Sequence, residues 1–384
     1  MAILKRKKKI EAPRQGLKRN PDIILALLVF ALVIFGLVMI SSASVVLSYE
    51  VTGGRTNNYY LIRQLTSLVI GLVALIILQA VDYHRYKKFA LPLLLLTIIV
   101  LAVPAFPEIF KGLAFGYGGA YRWIHIGPLF FQPSEIVKLT FIIYLAAWFE
   151  RRKDELSKFT AGVIPFVIIL GIVVFLIMKQ PDLGTTSIIG IIGISMFFVA
   201  GAHLAHLGLG VILGAGVLWE LIRRSPYRLA RLLVFLNPAS DTLGKGYHVN
   251  QALLAIGSGG FWGLGFGQSR QKYNYLPQAS TDSIFAIIAE ELGFARSVIV
   301  IAAFFIFAYK GFNIAMKAPD LFGRLLAAGI TSWIVFQAVI NIGTMLAVFP
   351  LTGVPLPFIS YGGSSLIINL AAIGILLNVS RQTV

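Results

Sequence analysis

Long uncharged apolar runs recur along the whole chain, and they decide what solvent it folds in. Two examples are IILALLVFALVIFGLVMI (residues 23–40) and TAGVIPFVIILGIVVFLIM (residues 160–178). A helix rises about 1.5 Å per residue, so runs of about 18 to 25 residues span a hydrocarbon core of about 30 Å. With 58% hydrophobic and 13% charged residues in a chain of 384, no water-soluble domain could hide that much apolar surface. The expected fold class is therefore all-α, a polytopic membrane protein. Ten spans are expected, at residues 22–47, 61–81, 90–106, 133–149, 160–178, 183–200, 203–222, 282–309, 323–348 and 358–379. Cysteine is absent, which excludes disulfides and thiolate metal sites. The first run is too long for the core of a cleavable leader and has no small-x-small site close behind it, so no leader is expected.

Charge sets the orientation. Residues 1–20 hold eight Lys or Arg against the single acid Glu11, within a net charge of +17. Such a tail could contact nucleic acid, but a cytoplasmic anchor obeying the positive-inside rule is the simpler reading. Residues 21–384 are then one transmembrane domain with both termini cytoplasmic. The loops DYHRYKKF, ERRKDELSK and YKGFNIAMKAPDLFGR fall inside, as the rule requires. The exception is a large extracytoplasmic loop between the seventh and eighth spans, residues 223–281, which holds seven Lys or Arg. Cations kept outside against the rule point to an anionic ligand on that face. Within the loop, HVNQALLAIG is expected to form a short amphipathic helix at the interface.

Several motifs have plain explanations. GSGGFWGLGFG (residues 257–267) lacks the strand before it and the G-K-[ST] after it that a nucleotide loop requires, so it reads as a glycine-rich surface turn. His203 and His206 stand at an expected helix start, where capping outweighs metal binding. Ser269 and Lys272 form an S-x-x-K without the companion motifs of penicillin-binding proteins.

Four stretches resist such explanations. In AYRWIHIGPLFFQPSEIVKL, Pro133 suits the first turn of a helix, which puts Glu135 and Lys138 three apart on one face beside Arg122 and Gln132. In MKQPDLGTT, Asp182 stands at a helix entrance, as a cap or as a site residue. In FPLTGVPLPFISYGGSSLI, three prolines preclude regular helix, so the segment is expected to floor a polar cavity and offer Ser360 and Tyr361. In LPQASTDSIFAIIAEELGF, Thr281 can cap the eighth span, Asp282 sits in its first turn, and Glu290 and Glu291 lie deeper. Buried carboxylates require cations, hydrogen bonds or protonation. Arg296 or a cation on another span can serve as their partner.

In family order from the fourth span to the tenth, RWIHIGPLFFQPSEIVKL, KQPDLGT, NPASDTLGKGY, GSGGFWGLGFGQSRQKYNYLPQASTDSIFAIIAEELG and PLPFISYGGSS together resemble the SEDS family of FtsW, RodA and SpoVE. GLVMISSAS in the first span looks more like FtsW than RodA. The resemblance implies ten transmembrane helices in the bacterial cytoplasmic membrane and peptidoglycan glycosyltransferase activity, polymerising lipid II into glycan strands at the outer face for division or elongation. It also implies a divalent cation (Mg2+ or Mn2+), a class B penicillin-binding protein as transpeptidase partner, and other division or elongation proteins. The family's essential acid maps to Asp282, the candidate base and a possible metal ligand. Candidate substrate-binding residues are Arg122, Gln132, Glu135, Lys138, Asp182, Lys272, Ser360 and Tyr361, with Arg270 a further phosphate partner. Two departures lie near the acid, Ser283 in place of a Phe and LPQAS in place of LPEAH, while DTLG for DPLG and GYHVNQ for a Gln-rich GYQ are milder changes. The rival reading is a lipid II flippase, and a third is a scaffold for division proteins. A flippase needs a polar path to the inner face, whereas the expected inner halves are apolar.

Overall fold

A computed structural model describes residues 20–383, apart from 111, 118–119, 127–128, 238–243 and 245. The basic tail, except Asn20, and most of NPASDTLGKGY lie outside the described residues.

The chain is mostly helical. Among the described residues, seven helical stretches are long and apolar enough to cross a membrane: α1 (Ile23–Ala43), α3 (Tyr59–Ala80), Tyr83–Ala105 including α4 (Tyr86–Ala105), Phe159–Lys179 including α6 (Ile164–Lys179), α11 (Ile284–Lys317), α12 (Leu321–Met345) and α13 (Gly363–Ser380). The helices α5 (Pro133–Arg151), α7 (Leu183–Val199) and α8 (Leu204–Arg223) stand where the other three spans are expected. The first run ends sooner than expected: α1 stops at Ala43, and a separate short helix α2 (Val45–Val51) follows.

The chain is not all-α. Strands β1 (Ala114–Tyr117), β2 (Ala120–Ile126) and β3 (Leu129–Phe131) form an antiparallel meander in the order β1-β2-β3. YRWIHI alternates and is rich in β-branched and aromatic residues, which suits a sheet with one covered face. Ile124 is buried, whereas His125, the next residue, and Tyr121, three residues before it, are exposed.

The residues 223–281 are also not one loop. They contain α9 (Pro226–Leu236) and α10 (Tyr247–Gly259), the latter over the expected amphipathic segment. The glycine-rich stretch ends α10 and then runs as a largely exposed turn, as expected, and it also packs against α11. It inserts against a break in α11 at Gly293, whose φ of 78° is left-handed and disrupts the helical ladder. The freed groups are paired: Leu264 and Gly265 amides donate to the Glu290 and Glu291 carbonyls, both at 3.0 Å, and Phe294 donates to the Gly260 carbonyl at 2.9 Å. Broken helices are tolerated in membranes only where neighbouring protein satisfies the backbone in this way. A Cβ on Gly263 would stand 2.3 Å from the Glu291 carbonyl oxygen, so the insertion requires glycine there.

The core lies along α12 and α13, the most buried of the long helices. At the start of α1, the Asp22 amide donates to Ser380 Oγ at the end of α13 (3.1 Å), so the first and last helices meet at one end of the bundle. Lys310 pairs with Asp22 there at 3.3 Å. The candidate catalytic residues gather elsewhere.

Candidate active site

Asp282 sits just before α11, in a turn held from several sides. The expected cap does not form: Ser283, not Thr281, occupies the N-cap position, and Thr281 Oγ1 instead donates to Gln278 Oε1 at 2.8 Å. Asn341, on α12, donates through Nδ2 to the Asp282 carbonyl and to the Val354 carbonyl, both at 2.7 Å. Ser360 Oγ donates to the Thr281 carbonyl at 2.6 Å and accepts from the Leu356 amide at 2.8 Å. The Tyr361 amide donates to the Ser280 carbonyl at 2.9 Å. The proline-rich segment therefore lies against the acid, and its Ser360 and Tyr361 hold the turn through the backbone. At Gly353 this segment comes close to the acid: a Cβ at that position would lie 3.3 Å from Asp282 Oδ2.

Asp182 and Arg122 complete this region. Asp182 N-caps α7, accepting from the Thr185 amide at 3.0 Å and from Thr185 Oγ1 at 2.9 Å. Close packing joins its loop to the proline-rich segment, since a Cβ on Gly184 would stand 2.3 Å from Val354 Cγ2. Arg122, on β2, donates to the carbonyls of Gln180 (3.1 Å) and Pro181 (2.6 Å), so the sheet aims its guanidinium at the α6–α7 turn. Burial, and then the neighbouring Asp182 carboxylate, push the Asp282 pKa up to about 6, while Arg122 and Arg231 pull the other way. Arg231, on α9, donates to the Leu351 carbonyl at 2.9 Å. It escaped the sequence reading as a site residue, although the excess of cations in residues 223–281 signalled it.

The other expected site residues are engaged in structural contacts. Glu135 and Lys138 form a buried pair at 2.8 Å. Lys138 Nζ also donates to Gln337 Oε1 at 3.0 Å and stands over the Trp333 ring at 4.8 Å. Gln337 in turn donates to the Pro355 carbonyl at 2.9 Å, which links this pair to the proline-rich segment. The Gln132 amide donates to Ser364 Oγ at 3.2 Å, joining the starts of α5 and α13. Lys272 is the cation that Glu291 requires: the pair is buried at 3.0 Å, and Lys272 Nζ donates equally to Ser42 Oγ at 3.0 Å. Arg296 is not that partner; it donates to the Trp262 carbonyl at 3.1 Å. Glu290 is held by neutral donors, the Ser269 hydroxyl and the Arg270 amide, so the S-x-x-K residues belong to this buried network. Arg270 itself is exposed. His203 caps α8, accepting from the Ala205 amide at 3.3 Å.

A cavity of about 320 Å³ opens between α9, α10 and residues 347–351. Val234, Val249, Phe349 and Leu351 line it, with Arg231 and His248 as its polar members. Burial, and secondarily Arg231, lower the His248 pKa to about 4, so its imidazole is neutral at pH 7.

No group of three or more His, Cys, Asp or Glu suited to a metal ion occurs among the described residues. Asp182 spends a hydrogen bond on each oxygen in capping α7. The donor set thus fits only a hard cation that takes one or two carboxylates and leaves its remaining positions to substrate phosphates and water.

The fold is that of a multi-pass membrane protein, and its candidate site gathers Asp282, Asp182, Arg122 and Arg231. Residues 23–384 match the FtsW, RodA and SpoVE family of cell cycle proteins, and the chain belongs to that family. It is 40% identical over 360 residues to a probable peptidoglycan glycosyltransferase FtsW of Trichlorobacter lovleyi, covering 94% of this chain and 93% of that one. It is 39% identical to the stage V sporulation protein E of Bacillus subtilis, covering 95% and 98% of the two chains. Among solved structures, a chain from a peptidoglycan synthase complex that coordinates polymerization and crosslinking superposes with a TM-score of 0.77 at 30% identity, covering 94% of this chain and 98% of that one. The rod shape determining protein RodA of Thermus thermophilus gives a TM-score of 0.68, also at 30% identity, covering 94% and 97%.

Proposed function

We propose that the protein is a peptidoglycan glycosyltransferase that polymerises lipid II, with Asp282 as its base. The observation that carries this reading is the raised-pKa carboxylate of Asp282 with Arg122 and Arg231 as its charge partners. Glycosyl transfer from a lipid diphosphate forms a bond between an acceptor sugar oxygen and the donor's anomeric carbon and breaks that carbon's bond to the diphosphate. The acceptor hydroxyl loses a proton, and the leaving diphosphate carries negative charge away. A base with a pKa near 6 is mostly ionised at pH 7 yet basic enough to take the proton in the transition state. Fixed guanidinium groups stabilise the charge that develops on the leaving group. Asn341 and Ser360 hold the carboxylate's turn so that little reorganisation is required. A divalent cation, for which Asp282 is a candidate ligand, would supply further neutralisation of the leaving group.

The same reading orients the chain. The site would face the outside of the bacterial cytoplasmic membrane, with ten crossings and both termini in the cytoplasm. Two features support an even number of crossings: the contact between Asp22 and Ser380, and the positive-inside bias of the loops. A transpeptidase of the penicillin-binding class would cross-link the product, a partnership supported by the synthase complex that the fold resembles.

The test uses purified protein, with its transpeptidase partner where needed, labelled lipid II, and Mg2+ or Mn2+. Glycan polymer from the wild type and none from folded Asp282→Ala is the expected result. Translocation of lipid II across vesicles without polymer would favour the flippase, and equal polymer from Asp282→Ala would refute the base assignment.

A further inference from the structure

Ser283, the residue after Asp282, touches His248 on α10. His248 Nε2 lies 2.6 Å from Ser283 Oγ. The Ser283 hydroxyl has one hydrogen, which it donates to the Pro277 carbonyl at 2.9 Å. The oxygen can then only accept from the imidazole, so Nε2 carries a hydrogen and donates. The Ser283 amide also donates to the Gln278 carbonyl at 3.1 Å. Ser283 thus closes the turn of residues 277–283 twice, through backbone and side chain, and His248 fixes the rotamer that does so. The fully buried Ser283 is the residue immediately after Asp282 and the N-cap position of α11. The imidazole that holds it comes from α10, across 35 residues of chain.

We infer that His248 is a positioning residue for the glycosyl transfer, acting through Ser283 to hold the turn that aims the Asp282 carboxylate. The inference rests on the polymerase reading for its kinetic consequence, but the geometry it describes does not. A hydrogen-bonded relay thus runs from α10 through Ser283 to the Pro277 carbonyl.

Four variants test it: His248→Ala, His248→Gln, Ser283→Ala, and the His248→Ala/Ser283→Ala pair. Each is measured for lipid II polymerisation, for melting temperature, and for hydrogen exchange at the amides of residues 278–283. The expected result for His248→Ala is a kcat lower by roughly tenfold, equivalent to about 1.4 kcal/mol, with KM for lipid II within about twofold. Exchange in the turn speeds up in the same variant. His248→Gln, whose amide also donates, recovers most of both losses. The pair is no slower than the slower single variant, because the two residues act as one unit. A wild-type kcat in His248→Ala, a Gln variant as slow as the Ala variant, or losses that multiply in the pair would overturn the inference. Hydrogen exchange requires no turnover, so it separates the two failures. Unchanged exchange in His248→Ala refutes the positioning role even if polymer forms. Faster exchange restored by Gln supports the role, even if a wild-type chain without polymer refutes the polymerase reading.

Discussion

Gly353 and Asp282 face each other so closely that a single methyl group at 353 would stand 3.3 Å from the acid's Oδ2. Gly353 also has a φ of 75°, a conformation that costs a residue with a Cβ about 1 kcal/mol or more. Gly353→Ala therefore both strains the proline-rich segment and crowds the carboxylate. Lipid II polymerisation by this variant is expected to fall by about tenfold or more, while the protein remains folded, as checked by its melting temperature and initial rate.

The pH dependence follows from the state of the base. Asp282 must be ionised to accept a proton, and its pKa lies at about 6. Activity should therefore rise with pH through about 6 and level off above it, losing about tenfold per unit on the acid side. Initial rates measured from about pH 5 to about pH 8 check this, and a limb centred near an ordinary carboxylate pKa of about 4 would show that the acid's surroundings are not those described.

Asn341 holds both the Asp282 and the Val354 carbonyls. Asn341→Ala leaves two carbonyls in a largely buried region without that partner, at about 1 to 3 kcal/mol. A lower melting temperature is expected together with reduced polymerisation, whereas Asn341→Asp, which replaces the donor by an acceptor, should be worse than Ala.

The Glu135–Lys138 pair is structural, so breaking it should cost stability first. Lys138→Ala leaves a buried carboxylate without its cation, a change of roughly 3 to 5 kcal/mol. Replacing both, as Glu135→Leu with Lys138→Met, should recover much of that loss in a thermal melt.

Sequence made the membrane architecture legible because span length and charge bias are local properties. Glu135 and Lys138 could be paired for the same reason, as neighbours three apart on one helix face. Asp282 stood out as a carboxylate at a span entrance within a family motif. What the sequence hid depends on contacts distant along the chain. Asn341 reaches the Asp282 carbonyl across 59 residues, and Lys272 meets Glu291 from a turn that no helical period places there. Polar residues four apart on α12, Gln337 and Asn341, were a missed signal, since two amides on one face of an apolar span require partners. The three-stranded sheet was overlooked because its strands are short and lie between long helices, where apolar alternation over a few residues is a weak sign. The glycine-rich stretch was legible as a surface turn, but its contact with the break in α11 is one that only the backbone of that helix reveals.

Asp282→Asn tests the central claim most directly, because it removes the charge and basicity while keeping the side chain's size. Purified wild type and variant, matched for melting temperature, would be given labelled lipid II with a divalent cation and their initial rates of glycan polymer compared. With Asp282 as the base, the variant should lose about 100-fold or more of the rate. Polymer formed by Asp282→Asn at the wild-type rate would contradict the account.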